Sequence, residues 1–366
     1  MGRSNTKSIK RGVSIIIPCY NSSRIIAKTL SYLQKQNVSS DIPWEIVIVD
    51  NGSTDRTADC ARAAWPLFSK VPFKVVSETT PGLSHARSKG FDTAEYDFIS
   101  FIDDDNFVFP DWVQIAYETM INNESIGACG GYSVPMFEIA PPAWFDKSLW
   151  TAFTIGPPNC EQGDVTTTRG HLWGAGSIIR KSAWQILVQL GFRYQLVGRC
   201  GTRLTSGEDI ELFYALRMAG WRLWQEPRLK FYHYMNRERI DWQYLLRVHN
   251  GFGASAPVLY MYRHFLESTS SIPIDSWRTM FIKTLKKYLS LYIVLHKTLL
   301  TDYDCKPLLL RLATEKGKLT QLWFLRQEFY DIFRYVKQLH HRLEAYKTVR
   351  SLQSELPLPD KQCFNT

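Results

Sequence analysis

Three consecutive aspartates, Asp103, Asp104 and Asp105, directly follow the apolar run FISFI. Carboxylates this close repel one another, which raises their pKa values and costs stability unless a cation offsets the charge. Mg²⁺ and Mn²⁺ prefer oxygen ligands, and either ion can bridge to a diphosphate. We therefore predict a divalent-metal site at this cluster. The alternative is a solvated turn in which Asp104 caps the following helix.

A second acidic pair, Glu208 and Asp209, follows Ser206-Gly207 and begins a predicted helix. Carboxylates are favourable at a helix N-terminus, so capping explains one of the two. We expect the other carboxylate to point into a cleft.

Polar or glycine-containing segments with the sequences PCYN, DNGS and PGLSHAR follow three other apolar runs. Pro18, Tyr20 and Asn21 could cradle a planar base, or they could serve only as a turn. Asp50 could accept a hydrogen bond from a base or ribose, or it could form an Asx turn. Arg87, at the start of a predicted helix, could pair with phosphate or form a surface salt bridge.

Two further positions are open to more than one interpretation. Gly174 lies between a tryptophan and a predicted strand, which indicates a close backbone approach to a ligand or to the neighbouring sheet. His233 closes the aromatic run FYH, where it is either a packed histidine or a ligand.

The elements that must position these side chains alternate between strand and helix. Short apolar runs rich in β-branched residues predict strands at 13–17, 45–49, 73–77 and 98–102. Helical patterns lie between them at 24–36, 55–68 and 83–93, and another begins near Pro110. This order predicts an open, twisted α/β sheet, in which ligands bind at the carboxyl ends of the strands. The polar segments lie at those ends.

The rest of the chain changes character twice. Residues 136–170 are rich in proline and aromatic residues, which predicts a long irregular segment. We expect strands near 173–180 and 221–233 and helices at 181–190 and 208–219. From about 240 to 350 the apolar spacing is helical.

Composition excludes several classes of protein. The 366 residues are 45% hydrophobic and 22% charged, as in ordinary globular proteins. Seven scattered cysteines without a CxxC pair indicate reduced thiols and a cytoplasmic location. There is no signal peptide pattern and no apolar run long enough for a transmembrane helix. The net charge is +9, but no nucleic-acid-binding motif accompanies it, so we expect no nucleic acid partner.

Five ordered motifs together resemble glycosyltransferase family 2: VSIIIPCYNSS, EIVIVDNGSTDRT, PGLSHARSKG, FISFIDDDN and GEDIEL. The resemblance spans about residues 12–235. It implies a GT-A fold, which is a Rossmann-like, mostly parallel twisted sheet flanked by helices, here with a helical C-terminal extension. It also implies a nucleoside-diphosphate sugar donor, with a UDP-sugar as the first expectation, and inversion at the anomeric carbon.

The resemblance also implies domain boundaries. We predict a basic tail at 1–11, a catalytic domain at 12–238, a helical region at 239–350 and a flexible tail at 351–366. Within the catalytic domain, 12–125 would be the nucleotide-binding half and 126–238 the acceptor half.

The same resemblance implies roles for individual residues. It places a nucleotide pocket at Pro18, Tyr20, Asn21, Asp50, Gly82, Arg87, Asp103 and Asp104. It implies Asp105 as a ligand of Mn²⁺ or Mg²⁺, with His233 as a candidate second ligand, and Asp209 as the general base. Glu208 would be a cap or an acceptor contact. Candidate acceptor contacts, with core packing as the alternative, are Trp144, Trp150, His171, Trp173 and Gly174.

The expected acceptor is a glycan or lipid-linked hydroxyl in polysaccharide or cell-envelope glycan synthesis. The C-terminal helices carry 18 Lys/Arg and 11 Asp/Glu from Asp241 onward. They could pack under the catalytic domain, form a dimer, or associate peripherally with the cytoplasmic face of an anionic membrane; the sequence leaves the oligomeric state open. Two rival functions are a nucleotidyltransferase, which would normally carry a glycine-rich phosphate loop after the first strand, and a non-catalytic nucleotide-sugar-binding or assembly protein.

Overall fold

The computed structural model describes residues 10–156, 161–200, 205–267, 274–299 and 304–355. Within these residues nine strands form one sheet. The strands are β1 (Lys10–Cys19), β2 (Trp44–Asp50), β3 (Phe73–Ser77), β4 (Tyr96–Phe101), β5 (Asn106–Val108), β6 (Ile126–Phe137), β7 (Gly163–Asp164), β8 (Ser177–Arg180) and β9 (Arg222–Met235).

Helices connect the strands and form the C-terminal region. They are α1 (Ile26–Leu33), α2 (Thr57–Ala64), α3 (Leu83–Thr93), α4 (Trp112–Ile121), α5 (Lys181–Gln189), α6 (Glu208–Met218), α7 (Trp242–Glu267), α8 (Trp277–Thr298), α9 (Lys306–Phe324) and α10 (Phe329–Glu355). A 3₁₀ helix covers Lys147–Phe153.

The first four strands along the chain, β1 to β4, pair with one another in parallel. The strand order is β3-β2-β1-β4-β8-β6-β9-β5, with β7 paired to β9. Cys19 pairs with Asp50, and Asp50 pairs with Ser77. Because parallel strands end at the same edge, the segments after β1, β2, β3 and β4 all emerge on one side of the sheet.

The second half of the sheet mixes strand directions. β8 is antiparallel to both β4 and β6, and β9 is parallel to β6. The short strand β5 pairs antiparallel with β9, and its register sets Asn106 opposite His233. This pairing brings the end of the aspartate cluster beside a residue more than a hundred positions later in the chain.

The core lies on both faces of the sheet. Along β1 the side chains alternate: Ile15 and Ile17 pack on one face, and Ile16 packs on the other. The face that buries Ile16 also buries apolar residues of α6, α7 and α10, including Phe213 and Leu339. The C-terminal helices therefore share a core with the sheet.

Helices α7 and α9 approach each other closely at two glycines. A Cβ atom added to Gly253 would lie 1.8 Å from the Thr314 carbonyl oxygen, and one added to Gly317 would lie 1.9 Å from the Asn250 carbonyl oxygen. Only glycine permits backbones this close. The backbones of α7 and α9 are therefore in close contact at these two glycines.

The predicted α/β fold with a helical C-terminal extension is confirmed. The strand β6 had no counterpart in the sequence prediction, because its three glycines and its proline lower strand propensity. In the structure these glycines allow close packing, since a Cβ at Gly127 would meet Trp221 at 2.5 Å. Residues 136 and 137, the first two of the predicted irregular segment, belong to β6 in the structure.

Parts of the predicted domain plan fall outside the described residues, namely most of the N-terminal tail and the end of the C-terminal tail. The domain division itself stays a prediction. None of the helices in the described ranges is both long enough and apolar enough to cross a membrane.

Candidate active site

A single large cavity of about 1250 Å³ opens at the carboxyl ends of the parallel strands. It collects most of the residues that the sequence singled out. These are Pro18, Tyr20, Gly82, Arg87, Asp103, Asp104, His171, Trp173, Gly174, Glu208, Asp209 and His233. Five predicted residues do not line it: Asn21, Asp50, Asp105, Trp144 and Trp150.

The loops after β1 and β2 hold each other through hydrogen bonds. The Asn21 side chain accepts a hydrogen bond from the Thr54 backbone N–H at 2.8 Å, and Asp50 Oδ1 accepts one from the Ser53 N–H at 3.1 Å. Asn21 and Asp50 therefore stabilise these loops through hydrogen bonds and do not line the cavity. Tyr20, which is 50% exposed, is one of the side chains that these loops present to the cavity.

Sequence reasoning missed Asn51, which fixes the loop after β3. Asn51 Nδ2 donates to the carbonyl oxygens of Glu78 and Thr80 at 3.1 and 2.7 Å, and its Oδ1 accepts from the Gly82 N–H at 2.9 Å. The position of Gly82 in the cavity wall depends on these three bonds. The available signal was an asparagine directly after a predicted strand.

The three consecutive aspartates diverge. Asp103 faces the cavity. Asp104 accepts a hydrogen bond from the Ser22 hydroxyl, which ties it to the loop after β1. Burial, together with the charge of Asp105, raises the pKa of Asp104 to about 7. Asp105 is buried beneath the wall, where its Oδ1 accepts from Asn106 Nδ2 at 3.0 Å.

Asp105 is neutralised by an arginine that the sequence analysis did not single out. Arg239 Nη2 lies 2.5 Å from Asp105 Oδ2, and Arg239 Nη1 lies 2.8 Å from His233 Nε2. Burial acts to raise the pKa of Asp105, but the charge of Arg239 and smaller contributions from other neighbours together lower it. The available signal was the pair of arginines in the segment NRER after β9.

The same contacts define the state of His233. A guanidinium nitrogen only donates, so Nε2 of His233 is an acceptor and the imidazole is neutral. Its Nδ1 then donates to the Thr154 carbonyl oxygen at 3.3 Å. Burial lowers the pKa of His233, which agrees with the neutral form.

The site can be tested for a divalent ion from its donor atoms. His233 Nε2 and Asp105 Oδ1 lie 3.6 Å apart, and both side chains direct acceptor atoms at the Arg239 guanidinium. A neutral imidazole and a carboxylate are ligands that suit Mn²⁺. The donor chemistry therefore fits, although within the described ranges no three His, Cys, Asp or Glu side chains already converge on an ion position.

Asp209 lies at the N-terminus of α6 and is oriented by two backbone donors. Its Oδ2 accepts from the Gly174 N–H and its Oδ1 from the Ile210 N–H, each at 2.8 Å. A Cβ added to Gly174 would lie 2.7 Å from Arg87 Nη2 and 2.9 Å from the Asp209 Cβ. The backbone at Gly174 therefore lies close to side chains of α3 and α6 rather than to the neighbouring sheet.

Glu208 and Arg87 form a buried ion pair. Arg87 Nη1 lies 3.1 Å from Glu208 Oε1, and both side chains are almost fully enclosed. Burial raises the pKa of Glu208, and the neighbouring Asp209 charge adds to the effect. Of the two interpretations of Arg87, the structure shows an ion pair, although a buried one rather than a surface one.

Arg169, also absent from the sequence predictions, lies beside Asp209. Its Cζ stands 5.0 Å above the Trp173 ring, and its buried Nη1 has no hydrogen-bond partner among the residues that the structure describes. Burial lowers its pKa to about 10. His171 Nδ1 lies 3.1 Å from the Arg169 carbonyl oxygen. This wall combines a cation, an aromatic ring and an imidazole.

Trp144 does not reach the cavity, so its prediction as an acceptor contact is not supported. It packs edge-to-face against Phe145 and Trp242 with ring centroids 5.7 and 5.3 Å apart. Trp150, another residue considered for that role, is partly buried in the same aromatic cluster. Core packing was the alternative for both residues.

Helix α7 supplies an entire wall that the sequence did not assign to the site. Its lining residues share one helical face: Tyr244, Arg247, Val248, Phe252, Ser255, Ala256, Leu259 and Arg263. The helical spacing of this segment was evident in the sequence, but the surface it would face was not.

Comparison with known proteins connects the chain to one family. Residues 14–183 match the model described as glycosyl transferase family 2. EpsH of Bacillus subtilis is 31% identical over 117 residues, which cover 32% of this chain and 33% of EpsH. The chondroitin synthase of Escherichia coli is 30% identical over 121 residues, which cover 32% of this chain and 17% of the synthase. The alignments with these curated relatives thus span a third or less of the relatives' length.

Among solved structures, the chain is similar to a mannosyltransferase from Pyrobaculum calidifontis in complex with GDP-Man and Mn²⁺. The TM-score is 0.50 at 16% sequence identity, and the match covers 95% of this chain and 89% of that one. At this identity the similarity concerns the fold. It extends beyond the family model into the C-terminal helices.

Proposed function

Because this chain belongs to glycosyltransferase family 2 through residues 14–183, we propose that its cleft transfers a sugar from a nucleoside-diphosphate donor to an acceptor hydroxyl. The reaction inverts the anomeric carbon, the first donor to test is a UDP-sugar, and the acceptor is a glycan or lipid-linked sugar. One observation carries the proposal: Asp103 and Asp209, more than a hundred positions apart in the chain, line one cavity. At about 1250 Å³ that cavity exceeds the ~300–1,000 Å³ of typical small-molecule pockets, so it has room for donor and acceptor together.

The donor side is the edge formed by the loops after β1, β2 and β4. Tyr20 presents an exposed aromatic ring on which a base can stack. Asp103 faces the same cavity and can accept hydrogen bonds from ribose hydroxyls. Asn51 positions the loop that carries Gly82, so this loop forms a preset side of the nucleotide pocket.

Asp209 is the proposed general base. The Gly174 and Ile210 N–H groups hold its carboxylate in one orientation, and Asp209 faces the cavity. As the acceptor oxygen bonds to the anomeric carbon, its proton passes to Asp209 and the bond to the nucleoside diphosphate breaks. The diphosphate leaves with the electron pair of that bond and needs no proton from the protein.

Arg87 and Glu208 support this arrangement from behind. Their ion pair is enclosed and adjoins Asp209, so it fixes the first turn of α6. The Arg87 charge also offsets the two neighbouring carboxylates. Glu208 is thereby proposed to be a positioning residue.

Asp105 and His233 are the proposed ligands of a divalent ion, and their acceptor atoms now contact Arg239. When bound there, Mn²⁺ or Mg²⁺ would neutralise charge on the departing diphosphate. Arg239 lines the cavity. Once its guanidinium group leaves Asp105, Arg239 can bind the same diphosphate.

The deciding experiment is a nucleotide-sugar screen followed by product analysis. Thermal stabilisation in the presence of Mn²⁺ identifies the donor, because a ligand that binds the native state raises apparent stability. Incubation of that donor without acceptor then distinguishes the candidate functions. Free sugar and nucleoside diphosphate support the transferase. Formation of a nucleoside triphosphate and a sugar 1-phosphate when pyrophosphate is added would instead indicate a nucleotidyltransferase, and binding without any turnover a non-catalytic protein.

A further inference from the structure

Helix α8 is apolar on two opposite faces, and only one of them is covered by protein. Met280, Thr284, Leu291 and Leu295 are buried. On the opposite side a stripe of four aliphatic residues is exposed: Ile282 (51%), Leu285 (36%), Leu289 (49%) and Ile293 (55%). Their spacing of three and four residues places all four on one line along the helix. We call these four residues the α8 stripe.

Aromatic side chains extend the exposed apolar area beside the α8 stripe. At the end of α9, Trp323 is 54% exposed and Phe324 is 69% exposed. The Trp323 ring lies 6.3 Å from the ring of Phe281, the residue that precedes the stripe. Isolated exposed apolar residues are ordinary, but several of them on two neighbouring helices indicate an interaction surface.

The charges on helix α8 itself all have one sign. Helix α8 contains Arg278, Lys283, Lys286, Lys287 and Lys297 and no Asp or Glu. Lys283 pairs with Asp275 at 2.9 Å, and Lys287 pairs with Glu315. Lys286 and Lys297, which flank the stripe, form no ion pair with any described residue. A partner for this surface must therefore offer apolar contact together with negative charge.

We propose that the α8 stripe docks on the surface of an anionic lipid bilayer. The four aliphatic side chains would enter the boundary between headgroups and acyl chains, while Lys286 and Lys297 contact lipid phosphates. A second copy of the chain fits less well. Pairing two α8 helices stripe to stripe would bring the lysines of both copies together with no acidic residue from either helix between them.

Helix α8 is anchored to α9 near its N-terminus. Trp277 does not point outward: its Nε1 donates to the Leu322 carbonyl oxygen at 2.7 Å, and its ring stacks on Phe281. Helix α9 packs against both α8 and α7, and α7 lines the cleft. A bilayer bound at α8 would therefore be separated from this wall of the cavity by α8 and α9. The proposal does not depend on the transferase reaction.

The test is co-flotation of the full-length chain with vesicles of phosphatidylcholine, alone or mixed with phosphatidylglycerol. Wild type should float with the mixed vesicles and remain behind with phosphatidylcholine alone. Leu289→Asp/Ile293→Asp should reduce the bound fraction at least tenfold. The matched control is Leu67→Asp/Phe68→Asp, at two residues that are 94% and 98% exposed outside the helical region and should have no effect.

A second pair of variants tests the charge. Lys286→Glu/Lys297→Glu should weaken binding to the mixed vesicles at least tenfold, since each basic residue near an anionic surface contributes about 1 kcal/mol, or roughly fivefold. Lys70→Glu/Lys337→Glu makes the same change in net charge elsewhere and should retain binding.

Three outcomes would overturn the proposal. They are no binding of wild type to the mixed vesicles, equal binding to both vesicle types, and equal losses in the stripe variant and its control. Light scattering provides a further check: a stable dimer of wild type that dissociates in Leu289→Asp/Ile293→Asp would show that a second copy covers the stripe. Donor stabilisation in solution should persist in all these variants, so failure of the docking proposal is distinguishable from failure of the proposed function.

Discussion

Arg239 Nη2 lies 2.5 Å from Asp105 Oδ2, so a guanidinium group contacts the carboxylate for which the sequence predicted a metal ion. The same guanidinium contacts His233 Nε2, the second proposed ligand. Protein cation and metal ion would therefore use the same acceptor atoms. When a metal ion binds Asp105 and His233, the Arg239 guanidinium should no longer contact them, and when Arg239 contacts them the metal ion should not bind.

Arg239→Ala should therefore bind Mn²⁺ more tightly than wild type in the absence of nucleotide. Removing the competing charge should increase affinity by about tenfold, equivalent to about 1.4 kcal/mol. Titration calorimetry or Mn²⁺ electron paramagnetic resonance measures the change directly. Arg237→Ala, which removes a nearby exposed arginine, is the control. Equal or weaker Mn²⁺ binding by Arg239→Ala would contradict this exchange.

Asp209→Asn should lose transfer while it retains the donor. The amide oxygen can still accept the Gly174 N–H, so the local structure should persist, but the side chain can no longer take up a proton. Loss of a general base typically lowers the rate by about 10²–10⁴-fold. Steady-state kinetics and donor-binding titrations separate the two effects. Asp111→Asn changes an exposed aspartate in the same way and should remain active. Near-normal turnover in Asp209→Asn would refute its assignment as the base.

Arg87→Met should destabilise the protein more than the double variant Arg87→Met/Glu208→Met does. Removing one partner of a buried ion pair leaves an uncompensated charge, which typically costs about 3–5 kcal/mol. Replacing both partners removes that charge. Denaturant unfolding of the two single variants and the double variant gives the coupling energy. Additive losses would mean that the 3.1 Å contact contributes no coupling.

Stability should fall as the pH rises from about 4.5 to about 7, in part because of Glu211. Its carboxylate is fully buried and accepts hydrogen bonds from the backbone N–H groups of Gln195 and Leu196 and from the Tyr262 hydroxyl. Burial raises its pKa from 4.5 to about 7. In this range the native state therefore holds a proton that the unfolded chain has released.

Glu211→Gln should remove this contribution. The slope of unfolding free energy against pH should become less negative by up to about 1.4 kcal/mol per pH unit between those limits. Urea unfolding at several pH values measures the difference. Identical slopes in the two proteins would show that Glu211 does not retain its proton in the native state.

Much of the site was predictable because strand ends can be located from sequence. The apolar runs at 13–17, 45–49 and 98–102 have strong strand propensity, and ligands bind where parallel strands end. Pro18, Tyr20, Asp103 and Asp104 were therefore expected in one cleft. Asp209 was recognisable from its place at the start of a helix, but only the resemblance to family 2 assigned it to the same cleft.

Contacts between segments far apart in the chain could not be read in this way. Arg239 follows its partner Asp105 by 134 positions, and Arg87 precedes Glu208 by 121 positions. No periodicity links such pairs. Trp144 illustrates the converse: it had a plausible role by type, but tertiary packing places it in an aromatic cluster.

The sequence by itself determined the first four strands and the helices between them, the edge of the sheet that carries the site, and the acidic residues available there. These features follow from local propensity and from the geometry of parallel strands. Only the tertiary structure decided which charges meet, because the β5–β9 register brings His233 beside Asp105, and β9 then leads to Arg239. It also decided which face of α8 stays exposed, since two apolar faces of one helix are equivalent until α9 covers one of them.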